Sequence, residues 1–269
     1  MSDPVVTLLT DYGPHSEHVG ALHAVLVAAN PRIVRVDLAH DISPGDVRFG
    51  AVVLARLCAL VPHAVHLAVV DPGVGSGRRG VAIRLAGGGA LVGPDNGLLG
   101  LAAQALGATA VVVLLPFAGH AVTFDGRDVF APVAARLASG MDLYALGTPA
   151  DLGGIRMPEI PPAAVGPGVL RAAILGCDRF GNVQMAASAG DAEAAGLVIG
   201  QAVEVTGPGT RVHARVVRTF GDVAAGLLLV YVDSHGQLAV AENRGDAAHR
   251  LGARGGGSLI ISVTHGPTS

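Results

Sequence analysis

The sequence predicts an α/β protein with two domains: an N-terminal doubly wound, Rossmann-like α/β domain and a C-terminal small β-barrel or sandwich. Two patterns support this prediction. Up to about residue 140, continuous apolar runs alternate with segments of helical periodicity, as in parallel strands that are covered on both faces. Beyond about residue 168, short apolar runs follow one another without long helices between them. We therefore expect domains at residues 1–165 and 166–269.

Strands and helices alternate in chain order through the first domain. Ser16 and Ser43 are suited to be helix N-caps, and Pro44 fits the first turn of the second helix. The glycines at 87–89 separate two apolar runs and predict a hairpin. Predicted strands cover residues 5–10, 33–38, 65–70, 81–85, 90–92 and 110–115, and predicted helices cover 16–29, 43–60, 98–106 and 130–138.

A stretch rich in proline and glycine, between Gly140 and Gly168, reads as a linker before the second domain. Several short strands with regular turns then favour a barrel or a sandwich. They are predicted at residues 169–175, 202–205, 211–218, 227–232, 238–241 and 258–263.

Composition excludes several classes of function. The chain has no lysine, which removes Schiff-base chemistry and the lysine of a phosphate-binding loop. A net charge of −3 without long basic runs argues against nucleic-acid binding. Apolar runs are interrupted before they reach the roughly 18 to 20 residues that a membrane span requires.

Cysteine and histidine usage narrows the prediction further. Cys58 and Cys177 are isolated and match no metal or redox spacing, so we expect buried thiols in a reducing, cytoplasmic compartment. The 11 histidines show no recognised ligand spacing, and we therefore expect no metal site. The chain has no basic segment at its start, which argues against a signal peptide.

Acidic residues recur at the ends of apolar runs in the first domain, at Asp11, Asp71 and Asp125. Because ligands collect at the carboxyl ends of parallel strands, these three carboxylates are expected to line one cleft. Arg78 follows Asp71 by seven residues across a glycine-rich turn and is a candidate partner for it. The alternative is that each aspartate caps a helix or makes a turn.

The segment Asp178–Asn182 is the corresponding candidate in the second domain. It combines an acid, an aromatic ring, a glycine and an amide within five residues. A carboxylate can hold an amino group, Phe180 can stack on a purine, and Asn182 can read a base edge. On its own, the segment could equally be a plain turn.

Taken together, six segments resemble the S-adenosyl-L-methionine (SAM) hydroxide adenosyltransferases, whose wider family includes the SAM-dependent fluorinase and chlorinase. The segments occur in family order and extend over nearly the whole chain. They are Leu8–Gly13, Asp71–Arg79, Gly93–Gly97, Thr123–Pro132, Asp178–Asn182 and Asp233–Arg244.

The resemblance implies a β-barrel as the second domain and a homotrimer. Its active sites would lie between the N-terminal domain of one subunit and the C-terminal domain of its neighbour. It also implies a reaction, the attack of water on C5′ of SAM to give adenosine and L-methionine. No cofactor is implied, because SAM is the substrate and its sulfonium is already a good leaving group.

The same resemblance assigns roles to residues. Asp71 and Arg78 belong to an Asp-Arg-His set that orients and activates the water, and Asp125 takes the place of the histidine. The implied substrate-binding residues are Asp11 at the ribose hydroxyls, Asp178 and Ser234 at the methionine end, and Phe180, Asn182, Glu242 and Arg244 around adenine.

Asp125 is the one departure from the family pattern. The hydrolases usually carry His-Gly-Arg-Asp where this chain has Asp125–Asp128. A second carboxylate beside Asp71 would raise the pKa of one of the two, and Arg78 or Arg127 could offset that repulsion. The pair could still act as a base that shares one proton. His120 is an alternative imidazole if its loop folds back toward the site.

Three other functions compete with SAM hydrolysis. A SAM-dependent halogenase is disfavoured, because related halogenases place tyrosine where Asp71 stands and a carboxylate repels halide. A SAM- or adenosine-binding protein that has lost turnover because of Asp125 is the second alternative. A generic nucleotide-binding α/β domain is the third.

Overall fold

The computed structural model describes residues 3–115, 123–253 and 256–264. Within it the chain divides into two compact units, Met1–Glu159 and Ile160–Ser269. This division falls a few residues before the boundary expected at residue 165. In the described part of the chain, no helix has the length and apolar character needed to cross a membrane.

The first unit contains one mixed sheet of seven strands in the order β2-β1-β3-β5-β4-β6-β7. The pairings of β1 with β2, β1 with β3 and β3 with β5 are parallel, and the remaining pairings are antiparallel. Helices accompany the sheet, but a Rossmann-like arrangement is not confirmed, because only four neighbouring strands run parallel. The strands are β1 (Val5–Thr10), β2 (Val34–Ala39), β3 (Val65–Val69), β4 (Gly80–Leu85), β5 (Ala90–Pro94), β6 (Ala108–Leu114) and β7 (Gly147–Ala150).

Two hydrophobic cores cover the two faces of this sheet. Successive residues of a strand point to opposite faces, and accordingly Leu8 and Leu9 belong to different cores. One core takes in α1 (Glu17–Ala29) and α4 (Ala131–Ala138), and the other takes in α2 (Val47–Cys58) and α3 (Gly100–Ala105).

One of the two predicted helix caps is confirmed and the other is wrong. Ser16 caps α1, and its Oγ accepts a hydrogen bond from the His18 amide at 3.2 Å. The cap of α2 is Asp46 rather than Ser43, because Gly45 adopts a φ of 75° that no right-handed helix can include. The Gly45 amide instead donates to Asp11 Oδ2 at 2.8 Å, which ties this turn to the end of β1.

The second unit is built on a closed barrel of seven strands, in the order β9-β10-β14-β13-β12-β11-β15 and back to β9. The predicted barrel is therefore confirmed. An eighth strand, β8, pairs with β9. The strands are β8 (Ala164–Gly166), β9 (Val169–Cys177), β10 (Val183–Ser188), β11 (Ala202–Gly207), β12 (Thr210–Val216), β13 (Leu228–Val232), β14 (Gln237–Glu242) and β15 (Ser258–Val263).

Two short helices, α5 (Ala189–Ala194) and α6 (Ala247–Arg250), also belong to this unit. Both cysteines of the chain are free thiols. Cys58 is buried, and burial raises the pKa of its thiol to about 12, which makes it unreactive near neutral pH. Cys177, at the end of β9, is only partly buried.

Candidate active site

Three side chains from separate parts of the first unit meet at the carboxyl end of β3. Asp71 lies two residues after the end of this strand, Arg78 lies in the glycine-rich loop before β4, and Asp125 precedes a π-helical turn at Gly126–Phe130. The structure thus brings together the three residues that the sequence singled out for chemistry. We call them the carboxylate–arginine cluster.

Arg78 bonds both carboxylates of the cluster. Its Nε lies 3.1 and 2.9 Å from the two oxygens of Asp71, and its Nη2 also bonds Asp71 Oδ2. The same Nη2 donates to Asp125 Oδ2 at 2.5 Å. The side chains of Arg78, Asp71 and Asp125 are only 9%, 5% and 14% exposed, so water screens these charges weakly.

Neighbouring groups fix this geometry. The Arg78 guanidinium lies 5.3 Å from the centre of the Phe130 ring, at the end of the π-helical turn. Asn96 donates through Nδ2 to the Val70 carbonyl at 2.9 Å, immediately before Asp71. Asp71 is thus anchored through the backbone as well as by Arg78.

A cavity of about 260 Å³ opens beside the cluster. Both carboxylates of the cluster line it, and so does Asp11, as the strand-end pattern predicted. The remaining lining residues are Tyr12, His18, Val69, Val74, Thr123, Phe124 and Gly126.

Tyr12, His18 and Phe124 form an aromatic wall of this cavity that sequence reasoning did not assign. Their ring centres lie 4.8 to 5.9 Å apart in tilted and edge-on contacts. The Tyr12 hydroxyl approaches Gly126 so closely that a Cβ at this glycine would collide with it. In the sequence, the glycine that follows Asp125 is the feature that indicates a close contact at this position.

The cavity is negatively charged. Asp11, Asp71 and Asp125 contribute three carboxylates, and Arg78 offsets only one of them. Burial, and then the charges of these three carboxylates, raise the pKa of Tyr12 far above its ordinary value, so its phenol stays protonated. Although burial acts against its charge, Asp71 and Asp125 raise the pKa of Arg78 further, and the guanidinium stays a cation.

The neighbouring acid–arginine pair, Arg79 and Asp95, does not line the cavity and instead bonds the backbone of a nearby loop. Asp95 is 4% exposed, bonds Arg79, and accepts the Arg156 amide at 2.9 Å. Arg79 also donates to the Gly154 carbonyl at 2.9 Å. Arg127, the other candidate to offset the two carboxylates of the cluster, pairs with Asp128. His120 lies outside the described residues.

In the second unit, Asp178 organises its own turn. Its Oδ1 accepts the amides of Phe180 and Asn182 at 2.9 Å each, and its Oδ2 accepts Asn182 Nδ2 at 2.8 Å. The Phe180 side chain is left 64% exposed at the tip. Asp178 therefore shapes a turn that presents an aromatic ring to solvent.

The other residues assigned to the second unit lie at the two ends of β14. Ser234 lies in the turn before this strand. Asp233 stabilises the backbone of that turn by accepting the His235 and Gln237 amides at 2.8 and 3.0 Å. Glu242 ends the strand and accepts Arg250 Nη1 at 3.0 Å. Arg244 follows with a φ of 60°, an unusual backbone conformation for a residue other than glycine.

Comparison with known proteins identifies the kind of molecule that this chain resembles. Residues 6–147 match the family model of the SAM hydroxide adenosyltransferase N-terminal domain, and residues 172–260 match that of the C-terminal domain. A protein of Salinispora tropica named (R)-S-adenosyl-L-methionine hydrolase is 47% identical over 97% of this chain and 98% of its own length.

Two further relatives extend this comparison. A fluorinase of an Actinoplanes species is 27% identical over 97% of this chain and 98% of its own length. The crystal structure of a conserved protein from Thermotoga maritima has a TM-score of 0.85 and 31% identity. That match covers 96% of this chain and 99% of the other.

Proposed function

The chain belongs to the SAM hydroxide adenosyltransferase family, and on that premise we propose how its first-unit cavity hydrolyses SAM to adenosine and L-methionine. The observation that carries the proposal is one guanidinium, Arg78, holding the carboxylates of Asp71 and Asp125 side by side. The enzyme is a SAM hydrolase, as are its relatives at 38–47% identity by name.

The charge of the cavity suits this substrate. SAM carries a sulfonium cation, and three carboxylates against one guanidinium leave the cavity negative. The same charge repels chloride and fluoride, so halide transfer is disfavoured. Loss of turnover because of Asp125 is disfavoured too, since Arg78 holds Asp125 beside Asp71 rather than letting the two repel each other.

The two carboxylates of the cluster have different roles. Asp71 receives Nε and Nη2 of Arg78 and is fixed by them. Among the described residues, Arg78 donates to the Asp125 side chain at Oδ2 and leaves Oδ1 to face the cavity. Asp125 Oδ1 is therefore the oxygen that accepts a hydrogen bond from the attacking water and orients it.

The chemical step is an in-line displacement at C5′. The water oxygen forms a bond to C5′ while the bond from C5′ to sulfur breaks, and methionine leaves with the bonding electron pair. The proton of the water passes to Asp125 and then to solvent. Because the sulfonium is a good leaving group, positioning supplies much of the acceleration and no cofactor is required.

The remaining binding groups follow the family resemblance. Asp11 lines the cavity and holds the ribose hydroxyls, while the protonated Tyr12 hydroxyl donates a hydrogen bond into the same space. The second unit, through Asp178, Phe180, Asn182, Ser234, Glu242 and Arg244, holds the adenine and the methionine end. In the proposed homotrimer, these groups come from the neighbouring subunit.

We extend the proposal to the domains, the location and the substrate epimer. The four parallel strands form the Rossmann-like, SAM-binding part of domain 1–165, and the barrel belongs to domain 166–269. Two free cysteines support a reducing, cytoplasmic location. Since the relatives are named for the (R) epimer at sulfur, we assign the same epimer to this chain.

Hydrolysis in ¹⁸O-labelled water tests the proposal directly. Purified protein is incubated with the (R) and (S) epimers of SAM, with and without chloride. The products are separated, and their masses are measured by mass spectrometry. We expect adenosine carrying ¹⁸O at its 5′ oxygen, formed faster from the (R) epimer. Unlabelled adenosine, or 5′-chloro-5′-deoxyadenosine as the main product, would refute the mechanism.

A further inference from the structure

A second cluster of polar side chains lies outside the cavity, between α1 and the end of β2. His23 is on α1, Asp37 is on β2, and His40 follows that strand. One nitrogen of each imidazole and one carboxylate oxygen of Asp37 lie within 4.8 Å of one another. No step of the proposed hydrolysis uses these three groups.

The distances within this cluster suit a small divalent cation. Asp37 Oδ1 lies 2.9 Å from His23 Nε2 and 3.1 Å from His40 Nε2. Around a tetrahedral Zn²⁺ with bonds of about 2.0–2.2 Å, neighbouring ligand atoms are about 3.3 Å apart. Two imidazoles and one carboxylate also form a common ligand set for zinc, with a fourth position left for water.

The environment of the His40 side chain also favours metal binding. Its side chain is 6% exposed, and its Nε2 is directed at Asp37 Oδ1, 3.1 Å away. Its other nitrogen, Nδ1, lies 2.8 Å from Thr10 Oγ1. Metal-binding histidines are commonly held in this way, with the nitrogen that does not bind the metal hydrogen-bonded to an oxygen.

The electrostatics of the cluster agree with this geometry. Asp37 supplies the carboxylate of the cluster, and one nitrogen of each imidazole faces its Oδ1. The carboxylate is therefore available as an anionic ligand. A cation that replaces the protons shared among the three groups would release them to solvent.

Although the spacing of the histidines in the sequence predicts no metal site, we propose that His23, Asp37 and His40, which the fold brings together, bind one divalent transition-metal ion, with Zn²⁺ as the preferred ion. The ion joins α1 to the end of β2 on the outside of the first unit. His40 links the proposed ion to the cavity. Its side chain bonds Thr10, and its carbonyl accepts the Gly13 amide at 2.8 Å. The segment between these two contacts carries Asp11 and Tyr12.

Calorimetric titration of the chelator-treated full chain with Zn²⁺ tests this site without SAM, so its outcome is independent of the proposed function. We expect one ion per chain, a dissociation constant in the micromolar range or below, and a heat that changes with buffer because protons are released. The melting temperature should rise with bound Zn²⁺. Co²⁺ in its place should give the visible absorption of a tetrahedral site.

The variants use the two ligands that lie near the surface and are therefore least disruptive to folding. His23→Asn and Asp37→Asn should each weaken Zn²⁺ binding at least tenfold, whereas His213→Asn and Asp41→Asn, both exposed positions, should stay within twofold of wild type. Absence of saturable binding by the wild type would overturn the proposal. So would unchanged affinity in both cluster variants while their metal-free melting temperatures stay near that of wild type.

Discussion

In the first unit, two carboxylates far apart in the sequence converge on one arginine, whereas in the second unit Asp178 and Asp233 each bond the backbone of their own turn. Asp71 and Asp125 are 54 positions apart (125 − 71) and both bond Arg78. Asp178 and Asp233 accept amides that lie two and four residues further along the chain. The first arrangement concentrates charge for chemistry, and the second shapes loops that present other groups.

Removing the shared arginine should have the largest effect on this contrast. Arg78→Ala leaves two nearly buried carboxylates without their cation, which costs about 3–5 kcal/mol of unfolding free energy. Turnover should fall by about a thousandfold or more, because the water loses its positioned acceptor. Urea unfolding and chromatographic assay of adenosine measure the two effects.

Arg79→Ala is the matched control for that variant. It also removes an arginine that bonds a buried aspartate, Asp95, but outside the cavity. It should lower the stability while kcat per folded molecule changes by less than about threefold, since Arg79 touches no reacting group. Equal loss of kcat in both variants would show that stability, rather than chemistry, explains the first result.

Mixing two inactive variants tests whether the units cooperate between subunits. Asp71→Asn inactivates the first unit, and the combined variant Phe180→Ala, Asn182→Ala and Arg244→Ala, which removes the proposed adenine-binding groups, inactivates the second. If each site takes its two halves from different subunits of a trimer, random mixing restores about one quarter of wild-type activity. A mixture that remains as inactive as its components would place both halves in a single subunit.

Damage to the turn alone should have a smaller effect. Asp178→Ala removes three hydrogen bonds that shape the turn around Phe180 and Asn182. We expect KM for SAM to rise about tenfold with kcat nearly unchanged, because the turn binds substrate uniformly. Asp142→Ala removes a similar bond, to the Tyr144 amide at 2.7 Å, and should leave KM as in wild type.

The unfolding free energy of the first unit should fall at acid pH because of one buried histidine, His66. Activity near neutral pH should not be affected. Burial lowers the pKa of His66, on β3, from 6.5 to about 4. Between these values only the unfolded chain takes up the proton, so the stability that is present above pH 6.5 falls by about 3 kcal/mol as the pH drops to 4. His66→Gln should lose that much less in urea titrations at the two pH values. Identical pH dependence in both proteins would contradict this assignment.

The strand-end pattern located Asp11 and Asp71 because parallel strands bring their carboxyl ends to one edge, whereas Asp125 reaches the same place from the start of a π-helical turn rather than from a strand end. The pattern could not show which group bridges Asp71 and Asp125, since this depends on the path of the loops. The aromatic wall was missed because Tyr12 and His18 precede or begin α1 with no periodic signal. Only packing around Gly126 reveals the position of Tyr12.

The stretch 140–168 is not the linker that the sequence predicted, because it contains β7 and β8. Two further errors in the fold have local causes. Ser43 does not cap α2, because the positive φ of Gly45 delays the start of this helix to Asp46. Strand β10 was not predicted, because Gln184, Ala186 and Ser188 are weak strand formers and only Val183, Met185 and Ala187 alternate into the core. The barrel closes through this strand, so its existence follows from tertiary pairing rather than from local preference.

The central claim is that Asp125, held beside Asp71 by Arg78, accepts the hydrogen bond of the attacking water. Single-turnover formation of adenosine by Asp125→Asn tests it most directly, with SAM affinity measured in parallel and Asp128→Asn as the neighbouring control. We predict a rate about 100- to 1,000-fold below wild type for Asp125→Asn, with affinity within about threefold and Asp128→Asn near wild type. Wild-type single-turnover rates in Asp125→Asn would contradict the account.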